Sequence, residues 1–213
     1  TVHAEMPLAD ARRHFGIIEG DVPILLLPGS RREEIERLLP AMLAAAKMLH
    51  AQDPARRFFL PVAGSVLKER VQEIIASSGM TVTLTYDARY ALMGIARAAM
   101  AASGTVVMEA AIMGLPAVVL YRMSALSYFV GRLLVDVPRF SLPNILLGET
   151  FEAELLQDEV QPERIAVEME RILADGAARA HIIQQLARAV ELLGAPHAAR
   201  RVAEKIIALA ERR

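Results

Sequence analysis

The chain has no cysteine. That single absence excludes a disulfide scaffold, thiolate metal sites and a cysteine nucleophile. An excess of charge of either sign is also missing: 24 Lys and Arg stand against 25 Asp and Glu, for a net charge of -1. No global positive field is available to condense on a phosphate backbone, so non-specific nucleic-acid binding is disfavoured. Long hydrophobic runs are lacking too, although 54% of the residues are apolar and mean hydropathy is +0.33. The most apolar stretch without a charge, residues 110–121, is broken by Gly114 and Pro116 and falls short of the roughly 18 to 20 residues a spanning helix needs. The apolar excess therefore belongs to a core, an interface or a membrane-surface contact. No initiator Met and no basic-then-apolar leader open the chain at Thr1, which reads as a fragment or processed piece. The lack of cysteine leaves the compartment open, although a cytosolic chain fits it most simply.

What is present is an alternation. Its 213 residues suit one α/β unit with appended helices. Apolar runs at 24–27, 58–62, 82–85, 98–102 and 117–121 are each four or five residues long, and all but the last are followed by helical spacing. Ile35, Leu38, Leu39, Met42, Leu43, Ala46 and Leu49 show that spacing. Strands buried on both faces look like continuous apolar runs, as a parallel sheet covered by helices requires. The expected fold is thus α/β: a doubly wound, Rossmann-like parallel sheet with C-terminal helices. Beyond Tyr121 the pattern changes. An apolar helix is expected at 124–135, then a loop bracketed by Pro138 and Pro143 that ends at Asn144, then helices at 163–174, 177–193 and 196–212. Arg179, Arg188, Arg200 and Arg201 read as a solvated face of the last two.

Two strand-to-helix junctions carry chemistry. In the first, Pro28-Gly29-Ser30-Arg31 follows a strand and opens a helix. Gly29 permits close approach of another group to the backbone, Ser30 is placed to cap the helix, and the freed amides suit an anion such as a diphosphate. Arg31 adds a guanidinium. No Walker loop and no Gly-x-Gly-x-x-Gly fingerprint is present, and an ordinary capped turn accounts for these residues equally. In the second, Ser103-Gly104-Thr105 precedes a helix carrying Glu109 in an apolar segment. A carboxylate there needs a partner, whether an internal Arg or amide or the vicinal hydroxyls of a ligand. Together the two turns describe a nucleoside diphosphate lying across the strand ends.

The residues Leu27-Pro28-Gly29-Ser30-Arg31 with Glu34-Ile35, Ala102-Ser103-Gly104-Thr105 with Glu109, Pro116-Ala117-Val118-Val119 with Tyr121-Arg122-Met123, Ser141-Leu142-Pro143-Asn144-Ile145-Leu146, and Glu154-Leu155-Leu156-Gln157 resemble lipid-A-disaccharide synthase over 7–173, in that family's order and spacing. The resemblance implies one half of a GT-B glycosyltransferase: a leading linker or helix at 1–22, a UDP-sugar-binding Rossmann-like domain at 23–175 and C-terminal helices at 176–213. It implies inverting transfer of 2,3-diacylglucosamine from UDP to 2,3-diacylglucosamine 1-phosphate, forming the β-1,6 lipid A disaccharide and UDP. On this sequence Gly29, Ser30 and Arg31 would hold the diphosphate, with Arg31 stabilising the leaving group. Glu109 would hold the ribose, Ser103, Gly104 and Thr105 the adjoining phosphate or sugar, and the segment at Tyr86 the uracil. Asn144 and Gln157 would lie near the donor sugar.

The general base is expected in an amino-terminal half, so this chain would bind UDP without turnover. The five histidines, at positions 3, 14, 50, 181 and 197, have no ligand spacing and no Asp-x-Asp motif exists, so neither an obligatory metal nor a cofactor is expected. The partners implied are the two acylated sugars and the amino-terminal domain; residues 121–137 could contact a membrane surface, although such a helix more often packs on a sheet or against another domain, and a homodimer is a further option. The implied location is the cytoplasm, peripheral on the inner face of its membrane. Asp136 and Arg97 depart from the family pattern, and Arg97 suggests an altered surface pair. The alternatives are half of another UDP-sugar transferase or epimerase, and a non-catalytic binding or dimerisation module.

Overall fold

The computed structural model describes residues 2–62, 68–123 and 139–194. Its elements in chain order are α1 (Leu8–His14), β1 (Val22–Leu27), α2 (Arg32–Gln52), β2 (Arg56–Pro61), α3 (Lys68–Ser78), β3 (Val82–Thr85), α4 (Arg89–Ile95), β4 (Ala98–Ala102), α5 (Thr105–Ile112), β5 (Ala117–Tyr121), α6 (Leu142–Leu147), β6 (Glu154–Leu156), α7 (Pro162–Leu173) and α8 (Ala177–Leu193). All strands lie in one sheet in the order β3-β2-β1-β4-β5-β6, with every neighbouring pair parallel. This is the doubly wound arrangement that the alternation predicts. The strand order reverses between β1 and β4, which marks the crevice where such sheets take ligands.

Strands β1, β4 and β5 are apolar throughout because both their faces are covered. In β1, Ile24 and Leu26 join a core that includes Leu38, Leu39 and Met42 of α2 and Met169 of α7. Leu25 and Leu27 point the other way, into a second core with Leu92 of α4 and Val107 and Ala110 of α5. Ile24, Leu25 and Leu26 are fully buried, each contributing about 1.5 to 3 kcal/mol of apolar burial. Leu27 is in register with Ala101 of β4, so the turns leaving β1 and β4 emerge side by side.

Three features differ from the sequence reading. β6 is an added edge strand in which only Leu155 is buried, and three residues are too few for a period of two to show. Residues 142–144 are not the end of a loop: Ser141 caps α6, its Oγ accepting the Asn144 N–H at 3.4 Å, and Pro143 sits in the first turn. Arg179 does not lie on a solvated face. It donates to the carbonyls of Ile172, at the end of α7 (2.6 Å), and of Arg97, just before β4 (2.9 Å), and burial beside the Arg97 guanidinium pushes its pKa down. Arg97 itself donates to the Leu173 carbonyl and pairs with Asp175, which is the altered surface pair expected of it. The helices expected at 124–135 and 196–212, and Asp136, lie outside the described residues. Among the described residues no helix is long and apolar enough to cross a membrane.

Candidate functional site

A cleft of about 660 Å³ opens at the carboxyl ends of the strands, over the β1/β4 reversal. Eight of the residues singled out in the sequence line it: Gly29, Ser30, Arg31, Tyr86, Ser103, Gly104, Thr105 and Glu109. They come from turns 17 to 80 residues apart, and the sheet brings them together.

The first turn is built differently from the expectation. Ser30 does not cap α2; the N-cap is Arg31, and no side chain accepts from the first turn there. Glu34 closes the turn from the other side. Its Oε2 accepts the N–H groups of Ser30 (3.1 Å) and Arg31 (3.2 Å), which is half of a capping box. Gly29 has φ +102, and a Cβ there would lie 2.2 Å from that same oxygen. The close approach that Gly29 permits is thus made by an internal carboxylate. The amides of Arg32 and Glu33, one step into the helix, lack intrahelical acceptors by the geometry of any helix start, an arrangement that suits an anion. The Arg31 guanidinium stands 83% exposed, 3.6 Å from Glu34.

At the second turn Ser103 directs its hydroxyl to the Phe140 carbonyl (3.0 Å), while Gly104 (φ +151) opens α5, whose Thr105 and Val106 line the cleft. Glu109 has found an internal partner. Arg89 lies 3.1 Å from its Oε2, and Arg89 and the Tyr90 hydroxyl both donate to its Oε1 at 3.3 Å. Arg89 is stacked over the Tyr90 ring at 4.8 Å and donates to its hydroxyl. Glu109 Oε2 meets Arg89 as an ion pair without hydrogen-bond geometry, and Thr85 Oγ1, in the same cleft lining, is buried without a hydrogen bond. Tyr86 projects 56% exposed at the rim, with Lys68 Nζ 5.0 Å from its ring centre. Glu5, from the segment before α1, accepts the Tyr90 (3.3 Å) and Ala91 (2.7 Å) amides and closes one end of the cleft.

Asn144 and Gln157 do not reach this cleft. Asn144 is fully buried. Its Nδ2 donates to the Glu152 carbonyl (2.9 Å) and Glu154 Oε1 (2.6 Å), and its Oδ1 accepts the Phe151 (3.1 Å) and Glu152 (3.2 Å) amides. No donor or acceptor is left for a sugar. Gln157 has a left-handed backbone (φ 51) and clasps the main chain of Met123 through both ends of its amide. Arg122 completes that brace by donating to the Gln157, Val160 and Arg37 carbonyls.

Arg89, Tyr90 and Thr85 were missed because no local pattern marks them; only the sheet places Arg89 against Glu109. Glu34 does carry a local signal, a carboxylate three residues after the N-cap Arg31. No group of three or more His, Asp or Glu side chains among the described residues is placed to hold a metal ion.

Comparison with known proteins matches this geometry to a family. The chain is 41% identical over 198 residues to a lipid-A-disaccharide synthase of Myxococcus xanthus, covering 93% of this chain and 52% of that protein. It spans about half the length of the curated relatives it matches. Among solved structures it resembles a putative UDP-N-acetylglucosamine 2-epimerase from Listeria monocytogenes, with a TM-score of 0.60 at 16% identity over 100% of this chain and 50% of the other. It also resembles the C-terminal CMP-Kdo binding domain of WaaA from Acinetobacter baumannii, with a TM-score of 0.57 at 12% identity over 86% of this chain and 95% of the other. These two likenesses speak to the fold. The family model for lipid-A-disaccharide synthetase matches residues 1–207, with the Pro28–Arg31 and Ser103–Thr105 turns at the two sides of one cleft, and the chain belongs to that family.

Proposed function

We propose that this chain is the donor-binding half of a two-domain, GT-B glycosyltransferase. The reaction would move 2,3-diacylglucosamine from UDP to 2,3-diacylglucosamine 1-phosphate, giving the β-1,6 lipid A disaccharide and UDP. The observation that carries this reading is the convergence of both phosphate-suited turns and Glu109 on one cleft at the strand-order reversal. The diphosphate lies between the α2 and α5 starts, with Arg31 over it and the uracil toward Thr85 and Tyr86. The ribose hydroxyls donate to Glu109, whose orientation Arg89 and Tyr90 fix.

In this arrangement the acceptor hydroxyl attacks the anomeric carbon as the bond to the diphosphate oxygen breaks, and the leaving group gains negative charge. Preorganised donors facing that charge are worth on the order of 3 kcal/mol each in such reactions. The helix-start amides and Arg31 supply them from this half, and the base belongs to the half that completes the enzyme. Acylated substrates would bring the assembled protein to the cytoplasmic membrane surface.

Melting with UDP tests the reading. At 100 times its dissociation constant UDP stabilises by about 2.7 kcal/mol, which is about 5 to 10 °C for a chain of this size. ADP should shift it less, and a protein unmoved by UDP would serve only as a binding or assembly module. Arg31→Ala should remove most of the UDP shift and leave the ligand-free melting point nearly unchanged, because its exposed ion pair carries little stability. A fall in the ligand-free melting point would make Arg31 structural instead. Glu109→Gln should bring the affinities for UDP and inorganic pyrophosphate to within a few-fold of each other. A retained preference for UDP removes the ribose role from Glu109.

A further inference from the structure

We propose that Glu34 is the positioning residue of the diphosphate turn and that its charge works against the bound diphosphate, setting how readily UDP leaves. This rests on the cleft being a UDP site. One carboxylate oxygen accepts both the Ser30 and Arg31 amides, so Glu34 holds the turn in shape from within. The other oxygen lies 3.6 Å from the Arg31 guanidinium, so the same side chain draws on the cation proposed to meet the ligand. Glu34 lines the cleft beside Gly29, Ser30 and Arg31, and its side chain is 29% exposed, which puts a fixed negative charge in the wall that receives the diphosphate. Gly29 makes the arrangement possible, since a Cβ would collide with the carboxylate.

A glutamine separates the two roles. Its single carbonyl oxygen can accept both amides, as Oε2 does now, while the charge is gone and Arg31 is released. Glu34→Gln should bind UDP about three- to tenfold tighter than wild type, the size expected for removing a like charge at a partly solvated site. Uridine, which has no phosphate, should bind both proteins alike. Glu34→Ala loses the turn as well and should bind UDP more weakly than Glu34→Gln. Titration calorimetry on the three proteins with UDP and uridine measures all of this.

A purely structural Glu34 predicts that the glutamine variant binds UDP no tighter than wild type. That result overturns the inference, while UDP binding by the wild type keeps the functional reading intact. Wild type that binds no UDP removes the functional reading and the inference with it. Should Glu34→Gln fold poorly, the test passes to the wild type. Saturating UDP must then move the amide resonances of Ser30 and Arg31, and unmoved resonances overturn the proposal.

Discussion

Asn144→Ala should lower the melting temperature by about 10 °C and leave the UDP-induced shift in place. The wild-type side chain satisfies two buried amides and donates to a carbonyl and a carboxylate, all at 2.6 to 3.2 Å. Alanine leaves the Phe151 and Glu152 amides without an acceptor and removes a donor from Glu154. Each orphaned buried group costs about 1 to 3 kcal/mol, so a total of about 3 to 5 kcal/mol is expected. A chain of this length loses roughly 2 to 4 °C per kcal/mol. The second half of the result separates two roles for a residue that the family resemblance places near the donor sugar. Asn144 ties α6 to the segment entering β6 and does not line the cleft. A variant that melts like wild type but no longer responds to UDP would reverse that assignment.

Glu152→Gln should stabilise the protein at pH 8 and change it little at pH 4.5. The Glu152 carboxyl is almost wholly buried, and burial pushes its pKa up to about 8 from an ordinary value of 4.5. The Ala117 amide opposes that rise, and the neighbouring Glu154 charge adds to it. One oxygen accepts the Ala117 N–H at 2.9 Å and the other has no partner. The folded state therefore binds a proton that the unfolded chain releases near pH 4.5. The corresponding stability is fully present below about pH 4.5, declines as pH rises and is lost once pH passes about 8. The decline is on the order of 5 kcal/mol once pH has passed both values. Glutamine keeps the acceptor for Ala117 and has no proton to lose. Urea melts of both proteins at pH 5, 6.5 and 8 should show a gap that widens with pH. A constant gap, or one that narrows, would mean that Glu152 is charged in the fold.

The sheet was readable because its central strands are buried on both sides, and the apolar runs at β1, β4 and β5 report that directly. Helix α2 was readable from the spacing of Ile35, Leu38, Met42 and Leu49, which places them on one buried face. The same reasoning failed at β6 and α6. Three strand residues and a six-residue helix are shorter than the windows in which a period can be recognised. Both depend on Asn144, Glu152 and Glu154 bonding across the loop.

By itself the sequence determined the α/β class, the two turns at the strand ends and the family, since each is written in contiguous residues whose spacing reflects local geometry. Tertiary structure alone decided which side chains meet. It set Arg89 and Tyr90 on Glu109, gave the Ser30 and Arg31 amides to Glu34, and turned Asn144 and Gln157 away from the cleft into the β5–β6 edge. The physical reason is that backbone periodicity depends on near neighbours, whereas the partner of a charge or a buried amide is fixed by packing between segments far apart in the chain.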